Sequence, residues 1–424
     1  MRVLVVGGYG FIGREVCSAL LRRGHQVVGW GRSAAIGRSV APDAEWIEGD
    51  LRHMLHSDAW SSALSGIDAV VNASGALQDG AGGRLAQVQG DAIIALVDAC
   101  VKQGVGRFVQ ISAPGAEAGA STAFMTTKAL ADAHLRRSRL EWTILRPALV
   151  VGRNAYGGTA LVRALAALPI GLSVYGGSPV QCVALDDVAT VSADAVEGLV
   201  PAVRILPLAA PERLRLHEVI AAHRRWLGFP KVRLMVDLPP LAALPLAACA
   251  DVAGWLGWRS PLRSTALRVM RDGVLVEASY APPTPLQSLR EILAAHPAGV
   301  QDRIAARIFW LLPLVVLALA TLWIGSGLIG LGATARAASI IGGGADAELL
   351  VRACSFADLA LGCAILIRPW ARPAAVCMAT ASAGYLIAGS LVAPWLWSDP
   401  LAPLLKIVPA LLLALVAAAI LEKR

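Results

Sequence analysis

The sequence predicts an α/β fold built on a doubly wound parallel sheet, with a small second lobe and a four-helix transmembrane bundle after it. Three observations predict this. Short apolar runs alternate with helix-like stretches over residues 1–152, three closely spaced glycines follow the first of those runs, and residues 308–421 are almost continuously apolar. At 424 residues the chain has room for two or three domains. Its 56% hydrophobic content and mean hydropathy of +0.60 exceed what an ordinary soluble domain carries, so part of it belongs in lipid.

RVLVV (2–6) reads as a buried strand and leads straight into Gly7, Gly10 and Gly13, with Phe11, Ile12, Val16, Leu20 and Leu21 at helical spacing. QVVGW (26–30) closes the unit as a second strand. In that context, glycines at this spacing let the backbone approach a pyrophosphate, and the free N–H groups of the helix start neutralise its charge. About 20 residues past the glycines, an NAD site places a carboxylate on the ribose hydroxyl. Arg32 stands there instead. A guanidinium pairs with a 2′-phosphate, which favours NADP(H) over NAD(H); the alternative is a solvated arginine after a strand. AEWIEGD, DAVVNASG, GRFVQIS and EWTILRP continue the alternation to six strands, with helices notably at 84–103 and 121–138. Ligand then lies beyond the strands' carboxyl ends, where Asp50, Asn72 to Gly75 and Ser112 fall.

GGYGFIG (7–13), GDL (49–51), NASG (72–75), ISA (111–113), Lys128, LRPALVVG (145–152) and ALDDVA (184–189) together resemble the atypical, extended short-chain dehydrogenase/reductase family. The resemblance covers roughly residues 1–280 and is nearest to the branch holding the nucleotide-binding accessory subunit of mitochondrial complex I and its bacterial relatives. It implies a Rossmann core over 1–152 and a small substrate lobe over 153–284. It also implies that Asp50 contacts the adenine, that Ala73, Ser74 and Gly75 line the ribose side and that Lys128 reaches the nicotinamide ribose; with the glycine turn and Arg32 read above, the cofactor-binding set is Gly7, Gly10, Phe11, Ile12, Gly13, Arg32, Asp50, Leu51, Ala73, Ser74, Gly75 and Lys128.

In that family a tyrosine four residues before the lysine donates a proton to the substrate. This chain has Phe124. Positions i and i+4 share a helix face, so the geometry is kept and the acid is gone, a loss of about 100-fold to 10,000-fold in rate. Three rescues are open: Ser112 donating alone, Tyr156 of GRNAYGG swinging over the site, or an acceptor such as a quinone that needs no protein acid. Tyr156 reads more readily as an aromatic packed in a loop near the nucleotide.

The stretch from 153 to 285 is shorter in its pattern and richer in proline, and LPLAAPERLRLHEVIAAHRRWLGFP (206–230) reads as a strand end, a turn and one amphipathic helix. LPPLAALPLA and GWLGWRSPLR suggest an apolar pocket or a surface against lipid, with core packing as the default reading. Seven cysteines without a CxxC pair suggest neither a disulfide framework nor a zinc site, and the pairs His53/His56 and His217/His223 lack further ligands, so no metal is expected. The net charge of +8 comes from dispersed basic residues, which excludes a nucleic-acid patch and suits arginines flanking membrane spans.

Four spans are expected at 308–331, 349–368, 373–393 and 401–421, after an amphipathic linker helix at 285–307 that lies on the membrane surface or simply connects. Arg303, Arg307, Arg368, Arg372, Lys423 and Arg424 mark cytoplasmic ends, which gives a multi-pass protein of the inner (cytoplasmic) membrane with its N-terminal domain and C-terminus in the cytoplasm. Asp358, inside the second span, calls for a partner, either Lys406 or Arg352. The segment 308–424 resembles the DoxX-like family. Together the resemblances imply a membrane-anchored NADP(H)-dependent oxidoreductase acting on a lipophilic substrate such as a quinone or isoprenoid intermediate. The alternative is a nucleotide-binding structural, assembly or redox-sensing module, with a membrane protein as a further partner.

Overall fold

Seven parallel strands form one sheet. In a computed structural model, which describes residues 1–75, 85–120, 122–277 and 279–421, six of them are β1 (Arg2–Val6), β2 (Gln26–Gly31), β3 (Glu45–Glu48), β4 (Ala69–Asn72), β5 (Arg107–Ile111) and β6 (Glu141–Pro147). Their order across the sheet is β3-β2-β1-β4-β5-β6, and it reverses between β1 and β4, so the ligand crevice opens beyond the ends of those two strands. The reading of six strands is one short. Arg204–Leu208 adds a seventh outside β6, with Ile205 opposite Ile144 and Leu206 opposite Leu145. Pro207 disguises it in the sequence; at a sheet edge the missing donor costs little.

Alternation along β1 sends Val3 and Val5 to one face and Leu4 and Val6 to the other, and every one of these side chains is fully buried. The first face is covered by α1 (Gly13–Arg22) and by the helix Leu185–Glu197, through Val16, Leu20, Val188 and Val191. α2 (Ala34–Val40) follows β2. The second face is covered by α3 (Ala92–Gln103) together with Trp60, Leu64 and Leu96. A π-helical turn, Gln87–Asp91, precedes α3, and Gly104 at φ +70° ends it. α4 (Ala123–Arg137) realises the helix expected at 121–138 and starts where Thr122 Oγ1 accepts from Met125 N at 3.3 Å.

In the lobe, the helix Leu289–Ala295 spends its apolar face on protein. Leu289 and Ile292 are buried with Val219 and Ile220, Trp226 Nε1 donates to His296 O at 2.6 Å, and Arg163 reaches Asp302 at 3.3 Å. That leaves no apolar face at 289–295 for a membrane surface. LPPLAALPLA departs from core packing in the other direction. It lies in the helix Pro240–Trp255, where Leu241, Leu244 and Leu246 are exposed.

The second compact unit comprises Trp255–Trp258 and the residues from Arg307 onward. Its longer helices are Val300–Gly332, which enters the unit at Arg307, Ala345–Ala364, Arg368–Val392 and Pro403–Ile420, with the short Thr334–Ile340 between the first two. The first, third and fourth are long and apolar enough to cross a membrane. The second, where another span is expected, has 20 residues but carries Asp346, Glu348, Arg352 and Asp358 and falls outside that class. A Cβ added at Gly327 would lie 2.5 Å from Ser355 O, and one at Gly362 would lie 2.6 Å from Ile324 Cγ1, so small residues set the helix spacing. The Asp358 carboxylate pairs with neither Lys406 nor Arg352 among the described residues. It accepts from Ser326 Oγ and Tyr385 OH, each at 2.7 Å, while Arg352 faces Glu348 at 3.4 Å. Two hydroxyls satisfy the oxygens without desolvating a second charge. Lys423 and Arg424 lie outside the described residues.

Candidate nucleotide site

The turn from β1 into α1 is made almost entirely of backbone. Gly7 adopts φ +77°, and a Cβ there would meet Ser74 N and Cα at 3.0 Å. A Cβ on Gly13 would stand 2.2 Å from Gly7 O, and one on Gly10 would stand 3.0 Å from the same oxygen. Gly10 N donates to Gly7 O at 2.8 Å and Arg14 N to Gly10 O at 3.1 Å, which folds the loop over the start of α1. Phe11 and Ile12 occupy the turn between these glycines. The glycines are therefore required sterically, and the helix start behind them carries the N–H groups and dipole that attract an anion. A dinucleotide's diphosphate fits this cradle.

On the β2 and β3 side, Arg32 is exposed at the end of β2. Asp50 accepts from Arg52 N at 3.0 Å and from Arg52 Nε at 2.8 Å. That hydrogen bond, with the charges of Arg52 and Arg32, holds the Asp50 carboxyl below the usual carboxylate range. Arg32 and Asp50 thus share one corner of the crevice, and Leu51 is buried behind them.

Across the switch point, β4 ends in Asn72, whose Nδ2 donates to Gln110 Oε1 at 2.8 Å and whose Oδ1 accepts from Ser74 N at 3.1 Å and Ser74 Oγ at 2.6 Å. This fixes the Ala73, Ser74 and Gly75 loop. A Cβ on Gly75 would lie 3.6 Å from Lys128 Nζ, which brings the lysine of α4 to the loop of Ala73, Ser74 and Gly75.

Lys128 is fully buried. Its Nζ donates to Ile111 O at 2.7 Å and stands 5.8 Å from the centre of the Phe124 ring, so the i, i+4 pair shares a face as expected. Burial pushes its ammonium down to about 8, against the opposing charge of Asp132. Asp132, one turn further along α4, accepts from Ser112 Oγ at 2.6 Å and lies 3.8 Å from Arg146. Burial pushes the Asp132 carboxyl up, against the Ser112 hydrogen bond and the charges of Lys128 and Arg146. Gln89 ties the chamber to the π-helical turn by donating to Phe124 O at 2.9 Å and Thr127 Oγ1 at 3.2 Å. The Ser112 hydroxyl is therefore already engaged with a carboxylate, and Tyr156 is exposed, its N–H donating to Thr159 Oγ1 at 3.1 Å.

The sequence reading gave no role to Asp132, Arg146, Gln89 or Gln110. Asp132 left a signal in standing four residues after Lys128, and Arg146 and Gln110 in lying within LRPALVVG and GRFVQIS.

Comparison with known proteins follows this division of the chain. Residues 7–197 match the family model described as NAD(P)H-binding, and residues 320–415 match the DoxX-like family. The chain joins an NAD(P)H-binding Rossmann domain to a DoxX-like domain. It is 30% identical over 258 residues to an uncharacterized protein of Mycobacterium tuberculosis, covering 59% of this chain and 27% of that one. Over 149 residues it is 34% identical to the photosystem II assembly factor Ycf39 of Synechocystis, covering 34% of this chain and 44% of the relative. Over 119 residues it is 35% identical to the 2-alkyl-3-oxoalkanoate reductase of Stenotrophomonas maltophilia, covering 27% and 34%. The aligned parts thus span about a quarter to under half of these relatives' lengths. Among solved structures, the Bordetella bronchiseptica enzyme WbmH in complex with NAD+ aligns at 20% identity and a TM-score of 0.49, over 56% of this chain and 85% of that one.

Proposed function

We propose that the NAD(P)H-binding domain uses NADP(H) to reduce a lipophilic acceptor, a quinone or isoprenoid intermediate, delivered from the bilayer that holds the DoxX-like domain. One observation carries this reading: a buried lysine stands beside the Gly75 loop while the side chain one turn earlier, Phe124, has no proton to give. A hydride acceptor that draws its proton from elsewhere suits such a chamber; a carbonyl waiting on a tyrosine does not. The bound dinucleotide would supply the hydride. The chain's residues bind and orient. Gly7, Gly10, Phe11, Ile12 and Gly13 hold the diphosphate, Arg32 pairs with the 2′-phosphate, Asp50 and Leu51 flank the adenine, and Ala73, Ser74, Gly75 and Lys128 hold the nicotinamide ribose. Ser112 Oγ, backed by the raised carboxyl of Asp132, is the chamber's own place to keep a proton. Arg303, Arg307, Arg368 and Arg372 at helix ends support a cytoplasmic nucleotide domain on the inner membrane.

A second reading, a nucleotide-binding assembly or sensing module with NADPH as a resident ligand, draws support from Phe124 and from the likeness to a protein named as an assembly factor. Membranes containing the protein separate the two. Faster NADPH oxidation on adding a short-chain quinone, abolished by Lys128→Ala, supports the enzyme. No turnover with tightly retained nucleotide selects the module.

A further inference from the structure

The helix Pro240–Trp255 is built inside out. Its buried residues, Ala243, Ala247, Ala250 and Gly254, are small and recur at intervals of four, three and four, so they form one stripe that packs on protein. The other side shows Leu241 at 77% exposed, Leu244 at 51%, Val252 at 57% and Trp255 at 73%, with Leu246 beside them. A helix facing water buries its large apolar side chains, because taking each out of water is favourable in proportion to its apolar area. Here the large ones point out and the small ones point in, so the outer face requires an apolar medium.

We propose that Pro240–Trp255 lies in the plane of the bilayer, with its leucine face in the acyl boundary and its basic flanks on anionic headgroups. Three facts choose lipid over a second protein. The residues that follow, Trp255–Trp258, are part of the membrane unit: the Trp258 indole donates to Leu366 O at 2.6 Å, Arg368 N donates to Leu256 O at 2.9 Å, and the Arg368 guanidinium lies 5.5 Å from the Trp258 ring. Leu366 and Ile367 form the turn before the helix Arg368–Val392, so Leu256 and Trp258, both within the membrane unit, stand at a span's end. Exposed cations bracket the apolar stretch, Lys231 and Arg233 before it and Arg259, Arg268 and Arg271 after it. Its one acid, Asp251, is neutralised by Arg263 at 2.9 Å. At 16 residues the helix is about 24 Å long, short of the roughly 30 Å hydrocarbon core, so it lies along the membrane and does not cross it. The cations add electrostatic attraction to an anionic leaflet. This surface is independent of any redox activity.

Cys249, exposed on this helix, offers the test. In the full chain, with Cys354, Cys363 and Cys377 replaced by alanine and the buried Cys17, Cys100 and Cys182 retained, a bimane is attached at Cys249 and the protein is reconstituted in vesicles of neutral and anionic phospholipid. The expected result is a blue-shifted emission, most of it lost to lipids nitroxide-labelled in the upper acyl chain and none of it to aqueous iodide. Leu241→Ser with Leu244→Ser should move the probe into reach of iodide. Replacing Arg259, Arg268 and Arg271 by glutamine should remove any deepening produced by anionic lipid. Iodide quenching of the unaltered helix overturns the proposal. So does quenching by neither agent, which would mean the face is covered by a second copy or by another protein.

Discussion

Between Gly7 and Gly13 the crevice is lined by backbone, whereas around Lys128 it is lined by side chains drawn from β4, β5, α4 and β6. In the first region the fit is steric: Cβ positions at 2.2 and 3.0 Å leave room for glycine and little else. In the second it is electrostatic, with a buried ammonium, a raised carboxyl, a hydroxyl and a guanidinium balancing one another out of water. The difference teaches that two halves of one site tolerate change differently. A backbone cradle fails by collision, while a buried network fails by leaving a charge without compensation.

Four measurements sharpen or break that contrast. The largest effect should come from Gly13→Ala, which drives a methyl into Gly7 O; calorimetric NAD(P)H affinity should fall about 100-fold, and an unchanged affinity would remove the loop from the site. Next is the lysine. Its ammonium is depressed from 10.5 to about 8, so between those values the unfolded chain binds more protons than the folded one and stability rises with pH. Below pH 8 the whole cost, about 3 kcal/mol, is present. The stability difference between Lys128→Met and the native, nucleotide-free chain should therefore move in the native chain's favour from pH 8 to 10.5, on top of a fixed cost of leaving Asp132 with Arg146 alone. A constant difference would mean that Lys128 is not titrating in the fold. Arg32→Ala comes third: loss of charge-assisted bonds to a 2′-phosphate should cost NADPH about 10-fold to 100-fold in affinity and spare NADH. Equal losses for both nucleotides would return Arg32 to the solvent. Smallest of all, Phe124→Tyr should leave NADPH affinity almost unchanged, since the ring adds a hydroxyl on a face already beside Lys128. A large loss would show that α4 does not line the cofactor.

Much of this arrangement was legible in the order of residues. Strand, glycine turn and helix over 2–22 appeared as read, because an apolar run, φ-permissive residues and helical periodicity are local signals. Lys128 and Phe124 landed on one face because helix geometry leaves them no alternative. Of Arg204–Leu208 the sequence showed a strand end at LPL and not its place in the main sheet, because a five-residue strand containing proline has no periodicity of its own; only its register against β6 reveals that place. Asp358 was assigned a cation as partner and found two hydroxyls, because charge complementarity along a sequence says nothing about which groups neighbouring helices present.

The sequence by itself determined where the glycine turn lies, where the sheet begins and that the C-terminal part is apolar enough for lipid, since each depends on composition and spacing within a few turns. Tertiary structure alone decided that Ser112 answers to Asp132, that Lys128 is buried against Ile111 O, and that the helix at 240–255 turns its leucines outward. Those outcomes depend on which distant group satisfies a buried atom or covers an apolar face, and that is fixed by packing between elements far apart in the chain.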